Sequence, residues 1–120
     1  MKKIVINKCY GGFGLSTEGM KHYLNLKGIE YGTRPSQWTF RENDQDFYNA
    51  GHVGEDNHYI LDRDIPRNDE ALIQTVEQLG ADANDRFSAL TIVEIPDDVE
   101  WQIEEYDGNE WVAEKHRTWR

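Results

Sequence analysis

The sequence predicts a single α+β domain over residues 1–120, with a mostly antiparallel sheet, two helices on one face and a C-terminal three-stranded meander. Three observations lead to this prediction. The chain opens with a run of β-branched residues, two segments have the apolar spacing of amphipathic helices, and the last third holds short β-rich runs separated by turn residues. A length of 120 residues is that of one domain.

The first elements are a strand, a glycine-rich loop and a helix. Ile4, Val5 and Ile6 favour a strand with two apolar faces. Three glycines within four positions then interrupt regular structure. Ser16 is a good N-cap for a helix that Gly28 would end.

The middle of the chain gives weaker signals. We expect a short strand at residues 37–41, a long polar loop at residues 42–57 and another short strand at residues 59–61. A second helix begins near Asn68, which can cap it, and ends at Gly80.

The C-terminal third predicts the meander. Its strands span residues 88–95, 99–104 and 111–117, and Asp107-Gly108 is a strong hairpin signal between the last two. The solvated face of the meander is expected to present Glu100, Gln102, Glu104 and Tyr106.

The charge of the chain is unevenly distributed. The net charge is −10, but residues 1–41 sum to +5, residues 42–114 to −18 and residues 115–120 to +3. An acidic chain is disfavoured as a partner of extended nucleic acid or anionic membrane. Together with the lack of a long apolar run and of a signal-peptide h-region, this predicts a cytoplasmic protein.

The glycine-rich loop is the first candidate site, because a strand, a glycine-rich turn and a helix N-terminus together can present backbone N–H groups to phosphate. The spacing matches neither the dinucleotide fingerprint nor the P-loop, and the loop can equally be a tight turn or a point of close chain approach. The predicted ligand-binding residues here are Tyr10, Gly11, Gly12, Phe13, Gly14 and Ser16.

Basic and aromatic residues elsewhere complete the predicted ligand set. Arg63 and Arg67 can bind phosphate or pair with the local Asp62, Asp64 and Asp69, and local pairing is the favoured alternative. The predicted C-terminal ligand residues are His116, Arg117 and Trp119, of which Trp119 can stack on a base or anchor the tail.

Catalytic and metal chemistry have little support in the sequence. The single Cys9 excludes an intrachain disulfide and is more typical of a small buried residue than of a nucleophile. His52 and His58, with Glu55 and Asp56, can in principle bind a metal, but a polar loop is the commoner explanation for such residues. We therefore expect no catalytic residues, no metal and no cofactor, and a protein that is not an enzyme.

The two ends of the chain resemble a family of small phage and prophage proteins. The resemblance lies in KIVINKCYGGFGLS at residues 3–16, and in IVEIP at 92–96, YDG at 106–108 and HRTW at 116–119. Small phage proteins of this size are linked to anti-defence roles. The chain is similar in type to sponges that sequester cyclic nucleotide signals, as anti-Thoeris proteins do.

Two functions remain open at this stage. The first is sequestration of a small phosphate-bearing nucleotide immune signal, without degrading it, by a homo-oligomer whose pocket lies at an interface. The alternative is an acidic protein that inhibits a basic host defence protein by direct binding, using the −18 block.

Overall fold

A computed structural model describes residues 1–10, 12–35, 45–85 and 88–114, apart from the side chain of Asp56. The α+β class is confirmed: the described residues form two helices and seven strands, and all the strand pairs are antiparallel. In chain order these are β1 (Lys2–Asn7), α1 (Thr17–Lys27), β2 (Tyr31–Pro35), β3 (Gln45–Asn49), β4 (Tyr59–Ile60), α2 (Glu70–Leu79), β5 (Leu90–Ile95), β6 (Trp101–Tyr106) and β7 (Asn109–Glu114).

Strand β1 pairs with β5 in a two-stranded sheet, so the N-terminal strand lies against residues 90–95. Val5 lies opposite Ile92 and packs into a core formed largely by α1 and α2, where Leu24 and Leu72 are completely buried. Ile4, on the other face of β1, is also completely buried, so both faces of this strand are covered, as its β-branched run predicts.

The predicted three-stranded meander is wrong in its pairing. Strand β5 joins β1, and β6 and β7 form a separate two-stranded hairpin. The reason is burial: Leu90 and Ile92 of β5 pack against the helical core, a position that a strand in a terminal meander would not reach. The hairpin turn itself is confirmed, since Asp107 and Gly108 both have positive φ angles, 50° and 89°.

A second sheet, in the order β2-β3-β4, occupies the middle of the chain. Strand β3 lies inside the predicted long polar loop, so that prediction is wrong. Phe47 and Tyr48 are 4% and 1% exposed, and as neighbours in a strand they are buried on opposite faces of the sheet. The predicted strand at residues 59–61 is confirmed as β4, whereas the one at residues 37–41 lies outside the described residues.

The two helices are capped by side chains near the predicted positions. Ser16 accepts a hydrogen bond from the Gly19 N–H, and Gly28 ends α1 with a φ of 70°. The cap of α2 is Asp69, one residue after the predicted Asn68. Burial raises the pKa of Asp69, but hydrogen bonds from Lys27, from two helix N–H groups and from Tyr23 outweigh it and hold that pKa below its usual range.

Candidate functional site

The glycine-rich loop connects β1 to α1, and its helix end is occupied by carboxylates. The Leu15 N–H donates to Asp62 Oδ2 at 2.9 Å, and a Cβ placed on Gly14 would overlap the Asp85 carboxylate. Burial raises the pKa of Asp62, and the nearby Asp85 raises it further. An anion approaching Leu15 would therefore meet two acidic side chains, and the Leu15 N–H is already bonded to one of them.

Ser16 is engaged in the fold in the same way. Its hydroxyl accepts from Gly19 N and donates to the Asp82 carbonyl, and its own N–H donates to the Ala83 carbonyl at 2.9 Å. These bonds join the start of α1 to the segment after α2. They give Ser16 a structural role that the N-cap pattern predicts.

Arg67 forms an ion pair that joins distant parts of the chain. Its guanidinium donates two parallel hydrogen bonds to Glu110, at 2.5 and 2.9 Å, and lies 3.7 Å above the centre of the Phe13 ring. The predicted pairing of Arg67 with a local aspartate is wrong for Asp69, which pairs with Lys27 instead. Arg67 and Phe13 come together, as residues of one predicted site, but the charge of Arg67 is directed at Glu110.

Glu110 and Asn7 organise this part of the fold, a role that was not predicted for either residue. Glu110 Oε1 also accepts a hydrogen bond from the Asn7 N–H at 2.8 Å. This N–H lies on the edge of β1 that does not pair with β5, so Glu110 supplies the acceptor that a neighbouring strand would otherwise provide. The buried Asn7 amide donates to the Cys9 and Gly108 carbonyls, both at 2.7 Å, and its oxygen accepts the Ala89 N–H. A polar residue ending a buried apolar strand is the only sequence signal for this role.

The other predicted ligand residues divide into two groups. Tyr10 is 65% exposed and Arg63 is also exposed, so both side chains are accessible to a ligand. Gly12 adopts a φ of 104°, a backbone conformation that favours glycine. The predicted residues Gly11, His116, Arg117 and Trp119 lie outside the described residues.

The hairpin β6–β7 presents Glu104 and two exposed aromatic rings on one face, within an acidic segment of the chain. Residues 88–114 contain nine acidic residues and no Lys or Arg. On the outer face the Glu104 carboxylate accepts from Gln102 Nε2 and Trp111 Nε1, each at 3.1 Å. Tyr106 and Trp111, 69% and 42% exposed, share this face, which we call the hairpin face (Gln102, Glu104, Tyr106 and Trp111).

Two further features lie outside the predicted site. An open cleft of about 410 Å³ lies between the end of α1 and the start of α2, lined in part by Leu26, Lys27 and Asp69. Among the predicted ligand residues that the structure describes, none borders this cleft. The segment between β3 and β4 brings His52, Glu55 and His58 together.

In the part of the chain that the structure describes, no helix combines the length and apolar character needed to cross a membrane. Comparisons with protein-family models, with curated proteins and with solved structures found no match.

Proposed function

We propose that this protein acts by binding rather than by catalysis, and that the hairpin face binds a basic protein surface. The observation that supports this best is the pair of exposed rings, Tyr106 and Trp111, on a hairpin within a segment that has no cationic residue. Tyrosine and tryptophan are enriched among the residues that dominate binding energy at protein interfaces.

Charge complementarity identifies the partner class. The nine acidic residues of the segment 88–114 surround this face with negative charge, which attracts a Lys- and Arg-rich surface, accelerates its association and makes binding sensitive to salt. Because the two ends of the chain resemble small phage proteins, we propose that this partner is a host defence protein in the bacterial cytoplasm.

Affinity capture from bacterial lysate tests the proposal with matched variants. The wild-type chain should retain a basic protein at low salt and release it as the salt concentration rises. Tyr106→Ala with Trp111→Ala should lose that protein. The control, Leu26→Ala with Ile29→Ala, removes apolar residues that are 41% and 37% exposed at the end of α1 and should retain it. Equal capture by both variants would refute a role for the hairpin face.

Nucleotide sequestration is the second candidate, and the exposed Tyr10 ring favours it. A tyrosine ring in a loop beside the exposed Lys8 offers base stacking and a positive charge at one place. Arg63 is accessible, whereas Ser16 and Arg67 already have partners. The nucleotide is held without degradation, by a homo-oligomer, at a site that includes the C-terminal residues.

Calorimetry with cyclic dinucleotides, cyclic trinucleotides and cyclic ADP-ribose isomers tests this candidate, together with light scattering for the oligomeric state. Tyr10→Ala should weaken nucleotide binding, and Tyr106→Ala should not, because the two rings are similarly exposed, at 65% and 69%, on different elements. Recovery of unaltered nucleotide after incubation would support binding without hydrolysis. An absence of heat across the panel at micromolar protein would exclude the candidate.

A further inference from the structure

The segment between β3 and β4 holds three metal-ligating side chains in one cluster. The ligand atoms of His52, Glu55 and His58 all lie within 4.8 Å of one another. Glu55 Oε2 is 2.6 Å from His52 Nδ1 and 3.8 Å from His58 Nε2. The two imidazole rings stack with their centroids 3.8 Å apart and an angle of 11° between their planes, so one nitrogen of each ring faces the same carboxylate.

The backbone explains why these residues converge. His52 N donates to Asn49 O, Glu55 N to His52 O and His58 N to Glu55 O, at 3.0, 3.1 and 2.9 Å. Each of these i to i+3 hydrogen bonds closes a turn and brings the first and last residues of that turn close together. Asn49, His52, Glu55 and His58 consequently form a row.

Glycine makes the first two of these turns possible. Gly51 and Gly54 occupy the third position of successive turns, with φ angles of 80° and 89°. This is the position at which a type II turn requires positive φ. The segment also contacts β2: a Cβ on Gly32 would overlap the Val53 side chain, and a Cβ on Gly54 would lie 3.3 Å from Arg34. The row is therefore built on a fixed backbone.

Asn49 completes the arrangement by contacting the second imidazole. Its side-chain amide lies 3.3 Å from His58 Nδ1. When His58 binds a metal through Nε2, its Nδ1 must bear the proton, and the Asn49 amide oxygen can accept it after an amide flip. Asn49 would thus act as a positioning residue that fixes the tautomer and the orientation of His58.

We propose that His52, Glu55 and His58 bind a zinc ion, with Asn49 orienting His58. Two imidazole nitrogens and one carboxylate oxygen are a donor set that suits zinc, whereas Ca²⁺ and Mg²⁺ prefer oxygen ligands alone. Neighbouring ligand atoms around tetrahedral zinc are about 3.4 Å apart, given zinc–nitrogen bonds of about 2.1 Å. The distances from Glu55 Oε2 to His52 Nδ1 and to His58 Nε2, 2.6 and 3.8 Å, lie on either side of this separation. To direct both nitrogens at one zinc ion the imidazole rings must turn out of their stacked arrangement, which side chains that are 37–58% exposed have the room to do.

Calorimetric titration of the full chain with ZnCl₂ tests the site. One zinc ion should bind per chain, and the double variant His52→Ala with His58→Ala should lose at least 100-fold in affinity. His22→Ala is the matched control, because His22 is bonded to Gln78 between the helices, away from the cluster. Asn49→Ala should weaken binding by about 10- to 100-fold, the usual effect of removing a partner of a metal ligand.

Thermal melts provide the second measurement and guard against misfolded variants. Without zinc, all variants should melt cooperatively near the wild-type temperature, because the replaced side chains are partly exposed. Zinc should raise the melting temperature of the wild type and of His22→Ala but not that of the double variant. The proposal is overturned if ZnCl₂ gives no heat, if the double variant binds zinc like the wild type, or if CaCl₂ binds as tightly as ZnCl₂.

Discussion

Glu110 attaches the C-terminal hairpin to Arg67, in the segment before α2, and to Asn7 at the end of β1. Replacing Glu110 by Gln measures what this attachment contributes to stability. The Glu110 and Arg67 side chains are 6% and 18% exposed, and the carboxylate accepts two hydrogen bonds from Arg67 and one from Asn7 N. Removing one partner of a buried ion pair costs about 3–5 kcal/mol. Because Gln keeps one oxygen acceptor and Arg67 retains some solvent contact, we expect about 3 kcal/mol.

Equilibrium urea unfolding at pH 7, followed by circular dichroism, measures this loss as a lower midpoint at unchanged slope. A domain with a stability of about 5–15 kcal/mol would remain folded. The control is Glu77→Gln, which breaks the exposed Lys3–Glu77 pair (side chains 41% and 46% exposed) and should cost at most about 1 kcal/mol. If Glu110→Gln costs no more than Glu77→Gln, the reasoning is refuted.

Three smaller predictions concern the loop before α1. Asp62→Asn should stabilise the protein more at pH 7 than at pH 4. Burial raises the pKa of Asp62, so the wild type loses stability as pH rises through that pKa. Equal changes in the free energy of unfolding at both pH values, measured by urea unfolding, would contradict this. Gly14→Ala should lower the free energy of unfolding by about 1–3 kcal/mol, because the new Cβ displaces the Asp85 carboxylate. If Gly14→Ala has the same cost in a chain that already carries Asp85→Ala, that cause is excluded. Ser16→Ala should cost about 1 kcal/mol through loss of the helix cap, measured by thermal unfolding.

Local sequence signals predicted the features that depend on neighbouring residues. Ser16 and Gly28 mark the ends of α1, and the Asp107-Gly108 turn has the expected positive φ angles. Each of these depends on backbone geometry within a few residues, which side-chain identity largely determines.

Features that depend on distant residues were not predictable in this way. β5 has the composition of a strand in any sheet, and its pairing with β1 follows from the core that both strands share with the helices. The pairing of Arg67 with Glu110 spans 43 positions, and no local pattern distinguishes Glu110 from the acidic residues around it. The sequence indicated His52, Glu55 and His58 as possible metal ligands, but not that they converge, because their proximity depends on three successive turns of the backbone.

The acidic residues of this chain divide into two sets with different consequences for binding. Asp62, Asp69 and Glu110 each accept main-chain N–H groups inside the fold, so their oxygens are already engaged by the protein. An anionic ligand at the start of α1 would compete with Asp62 for the Leu15 N–H and would be repelled by the Asp62 and Asp85 carboxylates. A basic partner at the hairpin face would instead meet Glu104 and Tyr106 on an outer surface and displace mainly water. The same net charge of −10 therefore opposes anion binding at the loop and favours cation binding at the hairpin.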